Sequence, residues 1–194
     1  MRFTIDSNEI AHIGISMLVV ALAFSFRYLL ISKELFLSFL PIILVGVGTG
    51  FIFHELAHKF TAMRFGAYAR YRAWESGLAF ALILSIVTRG AFVFAAPGAV
   101  YIYSHNLTRF QNGIISIAGP LTNLVTGSVF TFLLLFAPTP YFALLFASAA
   151  SINFFLGFFN MLPIPPLDGS KVLAWNPLAW VATIGVLALL VFVL

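Results

Sequence analysis

The stretch His54-Glu55-Leu56-Ala57-His58 lies within an apolar run, from about residue 35 to residue 65, that contains few other charged residues. Residues four positions apart lie on the same face of a helix, so the imidazoles of His54 and His58 can share one Zn²⁺ ion and Glu55 can act as a general base. Histidine and carboxylate side chains inside a membrane helix are costly and are therefore candidates for function. Two alternatives stay open at this point: a buried polar network without a metal, or a position just beyond the helix end, in water.

The composition is typical of an integral membrane protein. Of the 194 residues, 62% are hydrophobic and 8% are charged, whereas soluble domains carry about 25% charged residues. The net charge of +4 does not indicate nucleic-acid binding, because basic residues of membrane proteins mark cytoplasmic loops. The chain contains no cysteine, so histidine, aspartate and glutamate are the side chains that can hold a metal.

Five apolar segments predict membrane-spanning helices. They cover about residues 10–31, 35–65, 113–137, 141–162 and 177–194. The first has about 22 residues, which at about 1.5 Å per residue is enough to cross a hydrocarbon core of about 30 Å. In the second, three glycines allow close approach of a neighbouring helix: Gly46, Gly48 and Gly50. No soluble domain or repeat interrupts the pattern, so we expect a single domain, residues 1–194.

The apolar pieces between the second and third helices are shorter than a spanning helix needs. Residues 77–88 and 90–103 each fall below the roughly 20 residues that cross a bilayer. The sequence around Pro97 and Gly98 favours an extended hairpin with a Pro-Gly turn, and such backbone at membrane depth must be covered by protein or line a polar cavity. The predicted fold class is therefore an all-α polytopic membrane protein with about five to six transmembrane helices and a membrane-embedded, re-entrant β-hairpin. A kinked pair of ordinary helices is the alternative.

The distribution of basic residues predicts the orientation of the chain. With alternating crossings, one side of the membrane holds Arg2, Lys59, Arg64, Arg70, Arg72, Arg109 and Lys171, and the other holds Arg27 and Lys33. The excess on the first side predicts that this side is cytoplasmic. The same alternation places the end of the second helix and Asp168 at similar depth on that side, where they can meet.

A catalytic zinc site usually has three protein ligands and one open position. The candidates for the third ligand are Asp168, Glu75, His105 and His12. Asp168 is favoured because it follows a helix end broken by three prolines, and Gly169 after it permits close approach of the backbone. Asn160 can donate a hydrogen bond to a developing oxyanion or to a substrate backbone. An interhelical hydrogen bond is an alternative of equal weight.

Two separated motifs resemble those of the site-2 protease family of intramembrane zinc metalloproteases. The first is the stretch 54–58, and the second is Asn160-Met161-Leu162-Pro163 followed by Asp168-Gly169. Between them, Ile117-Ala118-Gly119-Pro120 opens a helix as it does in the family. The resemblance covers about residues 35–175, which we take as the core of the domain.

The resemblance also implies roles for individual residues. His54, His58 and Asp168 would bind one Zn²⁺ per chain. Glu55 would activate the water and pass its proton to the leaving amine, and Asn160 would assist at the substrate-facing site. The hairpin around Pro97 and Gly98 resembles membrane-embedded strands that bind an unwound substrate helix by strand addition.

The function implied is that of an intramembrane zinc metalloendopeptidase, which hydrolyses peptide bonds within or near transmembrane helices of membrane-protein substrates. The expected partners are these substrates and the lipid bilayer, with no nucleic acid. A catalytically inactive membrane scaffold or a metal transporter is the alternative, and a zinc hydrolase of lipids or small amides is a third. Because the chain is compact and lacks the added regulatory domains of many family members, we expect a multi-pass protein of a prokaryotic cytoplasmic membrane, with its active site toward the cytoplasm.

Overall fold

The computed structural model describes residues 5–93, 98–103 and 107–193. Within these ranges the chain forms helices and two short strands. In chain order they are α1 (Ser7–Leu29), α2 (Lys33–Arg64), β1 (Tyr68–Ala73), α3 (Glu75–Val87), β2 (Gly98–Tyr103), α4 (Arg109–Leu134), α5 (Pro140–Asn160), α6 (Asp168–Trp175) and α7 (Pro177–Val193).

Four of these helices are long and apolar enough to cross a membrane: α1, α2, α4 and α5. They correspond to the first four predicted spans, which confirms a mostly helical, polytopic membrane protein. The segments α3 and α7 are apolar but shorter. The structure therefore supports four of the five to six expected spans by length and composition.

Side chains at the helix starts supply acceptors for backbone N–H groups that have no partner within the helix. Asp6 accepts from the backbone of Glu9 at the start of α1, and Ser32 accepts from Leu35 at the start of α2. At α4, Thr108 and Gln111 form a reciprocal capping box. Such caps set where each helix begins.

The long helix α2 packs against α1, α4 and α5, and its glycines allow the closest approach. A Cβ atom at Gly46 would lie 2.6 Å from Cδ1 of Ile152, and one at Gly50 would lie 2.8 Å from Cδ1 of Leu156. Both partners belong to α5, so the missing side chains let α5 lie directly on α2. This contact confirms the close approach expected from the glycine spacing.

The two strands form an antiparallel pair in which Tyr68 lies opposite Tyr103 and Ala73 lies opposite Gly98. The predicted turn falls partly outside the described residues, because Pro97 is not among them. Gly98 is the first residue of β2, and the described partner of β2 is β1, on the far side of α3. The described pairing thus joins distant segments, whereas the predicted hairpin joined neighbours on either side of Pro97.

The start of α1 is fastened to α2 and β1 by the carboxylate of Glu9. Its Oε2 lies 2.5 Å from Nζ of Lys59, and its Oε1 accepts a hydrogen bond of 3.0 Å from the backbone N–H of Tyr71. The Tyr71 hydroxyl donates to Oγ of Ser16 at 2.8 Å. These contacts bring one end of α1 beside the end of α2 that carries the His-Glu-x-x-His stretch.

Candidate metal centre

Three side chains that can bind a metal converge where α2, α4 and α6 meet. The Nε2 atoms of His54 and His58 lie 2.9 Å apart, and Oδ2 of Asp168 lies 3.2 Å from the first and 2.9 Å from the second. All three residues are at least 92% buried. Their possible ligand atoms lie within 4.8 Å of one another. The i, i+4 spacing therefore places both imidazoles on one face, as predicted, and α6 brings a carboxylate to the same point.

The second nitrogen of each imidazole faces an oxygen that accepts hydrogen bonds. Nδ1 of His54 lies 2.5 Å from Oδ1 of Asn123, and Nδ1 of His58 lies 2.7 Å from the carbonyl oxygen of Ile115. A carbonyl oxygen cannot donate, so each Nδ1 carries a hydrogen, and in the neutral imidazole each Nε2 keeps its lone pair. Such outer partners are typical of metal-binding histidines. The two Nε2 atoms and the carboxylate of Asp168 form a donor set that fits a zinc ion.

The position of Asp168 depends on the glycine that follows it. Asp168 is the first residue of α6, and a Cβ atom at Gly169 would lie 2.0 Å from the carbonyl oxygen of Met161. No other residue fits this approach, so Gly169 lets α6 lie against the end of α5. A carboxylate binds a metal in its ionised form, and Asp168 lies where it can do so beside both histidines.

Two of the other three candidates for the third ligand, His12 and Glu75, are not part of this cluster. Nδ1 of His12 accepts a hydrogen bond of 3.1 Å from the backbone N–H of Ala73. Glu75 is exposed at the start of α3, and His105 lies outside the described residues. Among the residues described, Asp168 is the carboxylate that reaches both histidines.

A glycine of α4 leaves the space in which the two imidazoles meet. A Cβ atom at Gly119 would lie 2.5 Å from Nε2 of His54 and 2.5 Å from Nε2 of His58. Any side chain at this position would enter the volume between the ligand atoms. The small residue in the Ile117–Pro120 stretch therefore has a steric role at the centre itself.

Glu55 lines a cavity beside the cluster and is itself buried. The cavity has a volume of about 310 Å³ and is also lined by His54, His58 and Asp168. Among the described residues, Oε2 of Glu55 has no hydrogen-bond partner, although the atom is buried. Because an unpaired buried carboxylate oxygen costs free energy, it marks a position where a proton donor in the cavity would be stabilised.

Two of the three residues predicted to face the substrate, Asn160 and Gly98, line the same cavity. Asn160 is partly buried in the lining, and its amide donates to the carbonyl oxygen of Leu156 at 2.9 Å. Gly98 and the following residues of β2 form another wall, and a Cβ atom at Gly98 would lie 2.1 Å from the hydroxyl oxygen of Tyr71. Pro97 is outside the described residues, so its predicted contact with substrate has no structural counterpart here.

Sequence reasoning gave no role to Asn123, which contacts His54 directly. The available signal was a polar side chain in an apolar membrane helix, which is costly unless it has a partner. A partner 69 positions away has no signature in local spacing. The contact is seen once α4 is packed against α2.

A buried His-His-Asp cluster set among spanning helices defines a membrane protein with a metal centre. The chain matches the model of Peptidase family M50 over residues 42–145 and 137–183. It therefore belongs to Peptidase family M50, which confirms the resemblance to the site-2 protease family.

Relatives in archaea and bacteria carry names that agree with this family. The protein of Methanocaldococcus jannaschii named "Putative zinc metalloprotease MJ0611" is 46% identical over 179 residues, which are 92% of this chain and 90% of the relative. "Putative zinc metalloprotease YwhC" of Bacillus subtilis is 29% identical over 154 residues, 71% of this chain and 69% of the relative. "Putative zinc metalloprotease Rip2" of Mycolicibacterium smegmatis is 34% identical over 133 residues, 60% of this chain and 49% of the relative. No solved structure matches the chain significantly.

Proposed function

We propose that the chain is an intramembrane zinc metalloprotease that hydrolyses peptide bonds within or near transmembrane helices of membrane-protein substrates. The observation that carries the proposal is the convergence of His54, His58 and Asp168 in a helical membrane protein. Glu55 lines the same cavity, and no described residue bonds its Oε2. Family membership and the names of the relatives support it. Residues 1–194 would form one such domain, with its core at about 35–175.

One zinc ion per chain would be held by His54, His58 and Asp168. The chemistry of the donors fits, since two unprotonated Nε2 atoms and an ionised carboxylate oxygen form a set that is common in zinc enzymes. Zinc bound there supplies Lewis acidity to the site. The residues around it have separate tasks that follow from their own positions.

Glu55 would act as the general base. Glu55 lines the cavity, and its buried Oε2 has no hydrogen-bond partner among the described residues, so this carboxylate would accept a proton from a water molecule as that water attacks the scissile carbonyl. The same oxygen would then return the proton to the nitrogen of the leaving amine. Burial favours this exchange, because few bulk water molecules compete for the proton at that oxygen.

Asn160 and β2 would orient the substrate. Asn160 lies in the cavity wall, where its amide could turn from the carbonyl of Leu156 to a substrate oxygen. An unwound substrate segment would add to the sheet near Gly98 and Pro97. Unwinding is required because a helical peptide bond is shielded by its own turns, and helix-breaking residues in a substrate would favour it.

The site would face the cytoplasmic side of a prokaryotic membrane. The exposed basic residues Arg64, Arg72 and Arg109 lie in the elements that frame the site, whereas Arg27 and Lys33 lie at the opposite end of α1 and α2. Lys59 does not count as a loop marker, because it is buried and paired with Glu9. A single cysteine at position 64 that reacts with an impermeant maleimide from outside intact cells would contradict this orientation.

The activity can be tested with purified protein in proteoliposomes. Fluorescently tagged transmembrane helices with and without a central Gly-Pro pair would serve as probes, and mass spectrometry would locate any cut. We expect cutting within or next to the apolar segment, faster for the helix with the Gly-Pro pair, and no cutting after zinc is removed with a chelator. A protein that holds zinc and cuts none of the helices would contradict the proposal and favour the inactive scaffold.

A further inference from the structure

Asn123 of α4 is fully buried and makes contacts in two directions. Its Oδ1 lies 2.5 Å from Nδ1 of His54. Its Nδ2 lies 2.7 Å from the backbone carbonyl oxygen of Gly50 and 3.4 Å from Oδ1 of Asn153. The side chain therefore links the first imidazole of the cluster to the backbone of α2 one turn earlier, and to a second asparagine.

The chemistry of these contacts allows one orientation of the amide. The carbonyl oxygen of Gly50 cannot donate, so the group facing it must be the NH₂ of Asn123. The amide oxygen of Asn123 then faces His54 and can only accept. It follows that Nδ1 of His54 carries a hydrogen, and that in the neutral imidazole Nε2 directs a lone pair toward the cluster.

Asn153 of α5 fixes the orientation of Asn123 from the other side. It is also fully buried, and its NH₂ faces three acceptors: the carbonyl oxygen of Ala149 at 2.9 Å, Oγ1 of Thr49 at 3.2 Å and the carbonyl oxygen of Gly46 at 3.4 Å. Its oxygen is left to accept from Asn123. An ordered series of hydrogen bonds thus runs from α5 through α4 to His54.

The two histidines depend on different kinds of partner. Nδ1 of His58 is held by the backbone carbonyl of Ile115, which no substitution removes. Nδ1 of His54 is held by a side chain. The orientation of His54 is therefore the part of the centre that a change at position 123 can alter.

We propose that Asn123, oriented by Asn153, is a positioning residue that holds His54 in its Nδ1-protonated tautomer and so sets the zinc affinity of the centre. The zinc part of this inference rests on the proposed function. Asn123 acts through His54 and touches neither substrate nor metal. Partners of this kind typically change metal affinity by about 10- to 100-fold when they are removed.

The tautomer can be measured directly in the metal-free protein. The chain has four histidines, so ¹⁵N-histidine labelling gives few enough NMR signals to assign by substitution. We expect the Nδ1–H form of His54 in the unaltered chain and a population of the Nε2–H form in Asn123→Leu, with His58 unchanged as an internal reference. Asn123→Asp, which still presents an acceptor, should keep the Nδ1–H form.

Zinc affinity is the second readout, measured by competition with a chromogenic chelator on the full chain in detergent. We expect the dissociation constant to rise about 10- to 100-fold in Asn123→Leu, to rise less in Asn153→Leu, and to change little in Asn123→Asp. Thr131→Val is the matched control, because Thr131 lies about two turns further along α4 and its hydroxyl bonds the carbonyl of Gly127 in its own helix. Its dissociation constant should equal that of the unaltered chain.

Several outcomes would overturn the inference. An unchanged His54 tautomer in Asn123→Leu would do so, and weaker zinc binding without a tautomer change would show a packing role only. If Asn123→Leu does not fold, Asn123→Asp still tests the inference. A population of the Nε2–H form of His54 in that variant would contradict it. A chain that binds zinc but cuts no helix would refute the proposed function alone, since the tautomer and affinity results stand without proteolysis.

Discussion

Two buried polar clusters meet on neighbouring residues of α2. The metal-site cluster consists of His54, His58, Asp168 and Asn123, with Glu55 at its edge. The ion-pair cluster consists of Glu9, Lys59, Tyr71 and Ser16. His58 belongs to the first and Lys59 to the second, so the two clusters lie within one turn of the same helix.

The ion-pair cluster is closed. Nζ of Lys59 lies 2.5 Å from Oε2 of Glu9, and the two side chains are 1% and 2% exposed. The other carboxylate oxygen of Glu9 accepts from the backbone of Tyr71. Burial raises the pKa of Tyr71, so its hydroxyl stays protonated and donates to Ser16. Each charge in this cluster is compensated from within the protein, as buried ion pairs require.

The metal-site cluster opens onto a cavity of about 310 Å³. Its imidazoles are held on their Nδ1 sides, while their Nε2 atoms and one oxygen of Asp168 point to a common space. Within the described structure, Oε2 of Glu55 has no partner. Burial of charge therefore does not by itself distinguish function from structure. The distinction is that one cluster leaves its donor and acceptor atoms facing a cavity and the other does not.

A single substitution at the metal-site cluster should have its largest effect on catalysis. Glu55→Gln keeps the size of the side chain and removes the base, so cleavage of a transmembrane-helix probe should slow by about 10²- to 10⁴-fold. Zinc content, measured by atomic emission, should stay at the level of the unaltered chain. Cleavage at full rate would remove Glu55 from the role of base.

Removing the carboxylate ligand should reduce zinc binding itself. Asp168→Ala leaves two histidines without their third partner, so zinc affinity should fall by more than the roughly 100-fold that loss of an outer partner costs. Zinc content after dialysis against a weak chelator is the measurement. Unchanged content would move the third ligand elsewhere, with His105 as the next candidate. Lys171→Met is the matched control, because Lys171 contacts the other oxygen of Asp168, at 3.4 Å.

At the ion-pair cluster, the expected effect of a substitution is on the stability of the fold. Lys59→Met leaves the buried carboxylate of Glu9 unpaired, and breaking such a pair costs about 3–5 kcal/mol. Adding Glu9→Gln should recover much of that loss, because the amide is uncharged and its oxygen can still accept from Tyr71. Unfolding in mixed micelles would give both values. Zinc bound per folded molecule should not change, and a loss of zinc in Lys59→Met would mean that the two clusters are coupled.

The sequence predicted those parts of the molecule that depend on local spacing. The long apolar segments predicted α1, α2, α4 and α5, and the i, i+4 histidines predicted the shared face of α2. The prolines before Asp168 and the glycine after it favoured this residue among the four candidates for the third ligand. That Asp168 meets the second helix followed from the alternation of the predicted spans, which places both on the same side of the membrane.

Contacts between distant segments were not predictable in the same way. The Pro97-Gly98 pair favoured a local turn, but the described pairing of β2 is with β1, which lies before α3. Lys59 was interpreted as a basic residue of the cytoplasmic side, because its partner Glu9 is 50 positions away and no pattern links them. A charged side chain at the end of an apolar helix can be stabilised by solvent or by a buried partner. The packing of the helices determines which of the two occurs.

The smallest effect on stability should come from the partly exposed ion pair next to the ion-pair cluster. Asp6 lies 2.8 Å from Arg70 with both side chains partly exposed. The hydrogen bond from the backbone of Glu9, followed by the charge of Arg70, holds the pKa of Asp6 below its ordinary value of 3.8. A lowered pKa in the folded state means that the stabilisation is present above pH 3.8 and is lost as the pH falls further.

Asp6→Asn tests whether this pair resembles the buried one. Asparagine can still cap α1, so the substitution removes the charge and keeps the cap. Thermal unfolding should show little change at neutral pH, since exposed pairs contribute little, and a weaker loss of stability on acidification below about pH 4. A loss of stability as large as that of Lys59→Met would mean that Asp6 belongs energetically to the ion-pair cluster. The start of α1 would then be held in place by Asp6 and Glu9 together rather than by Glu9 alone.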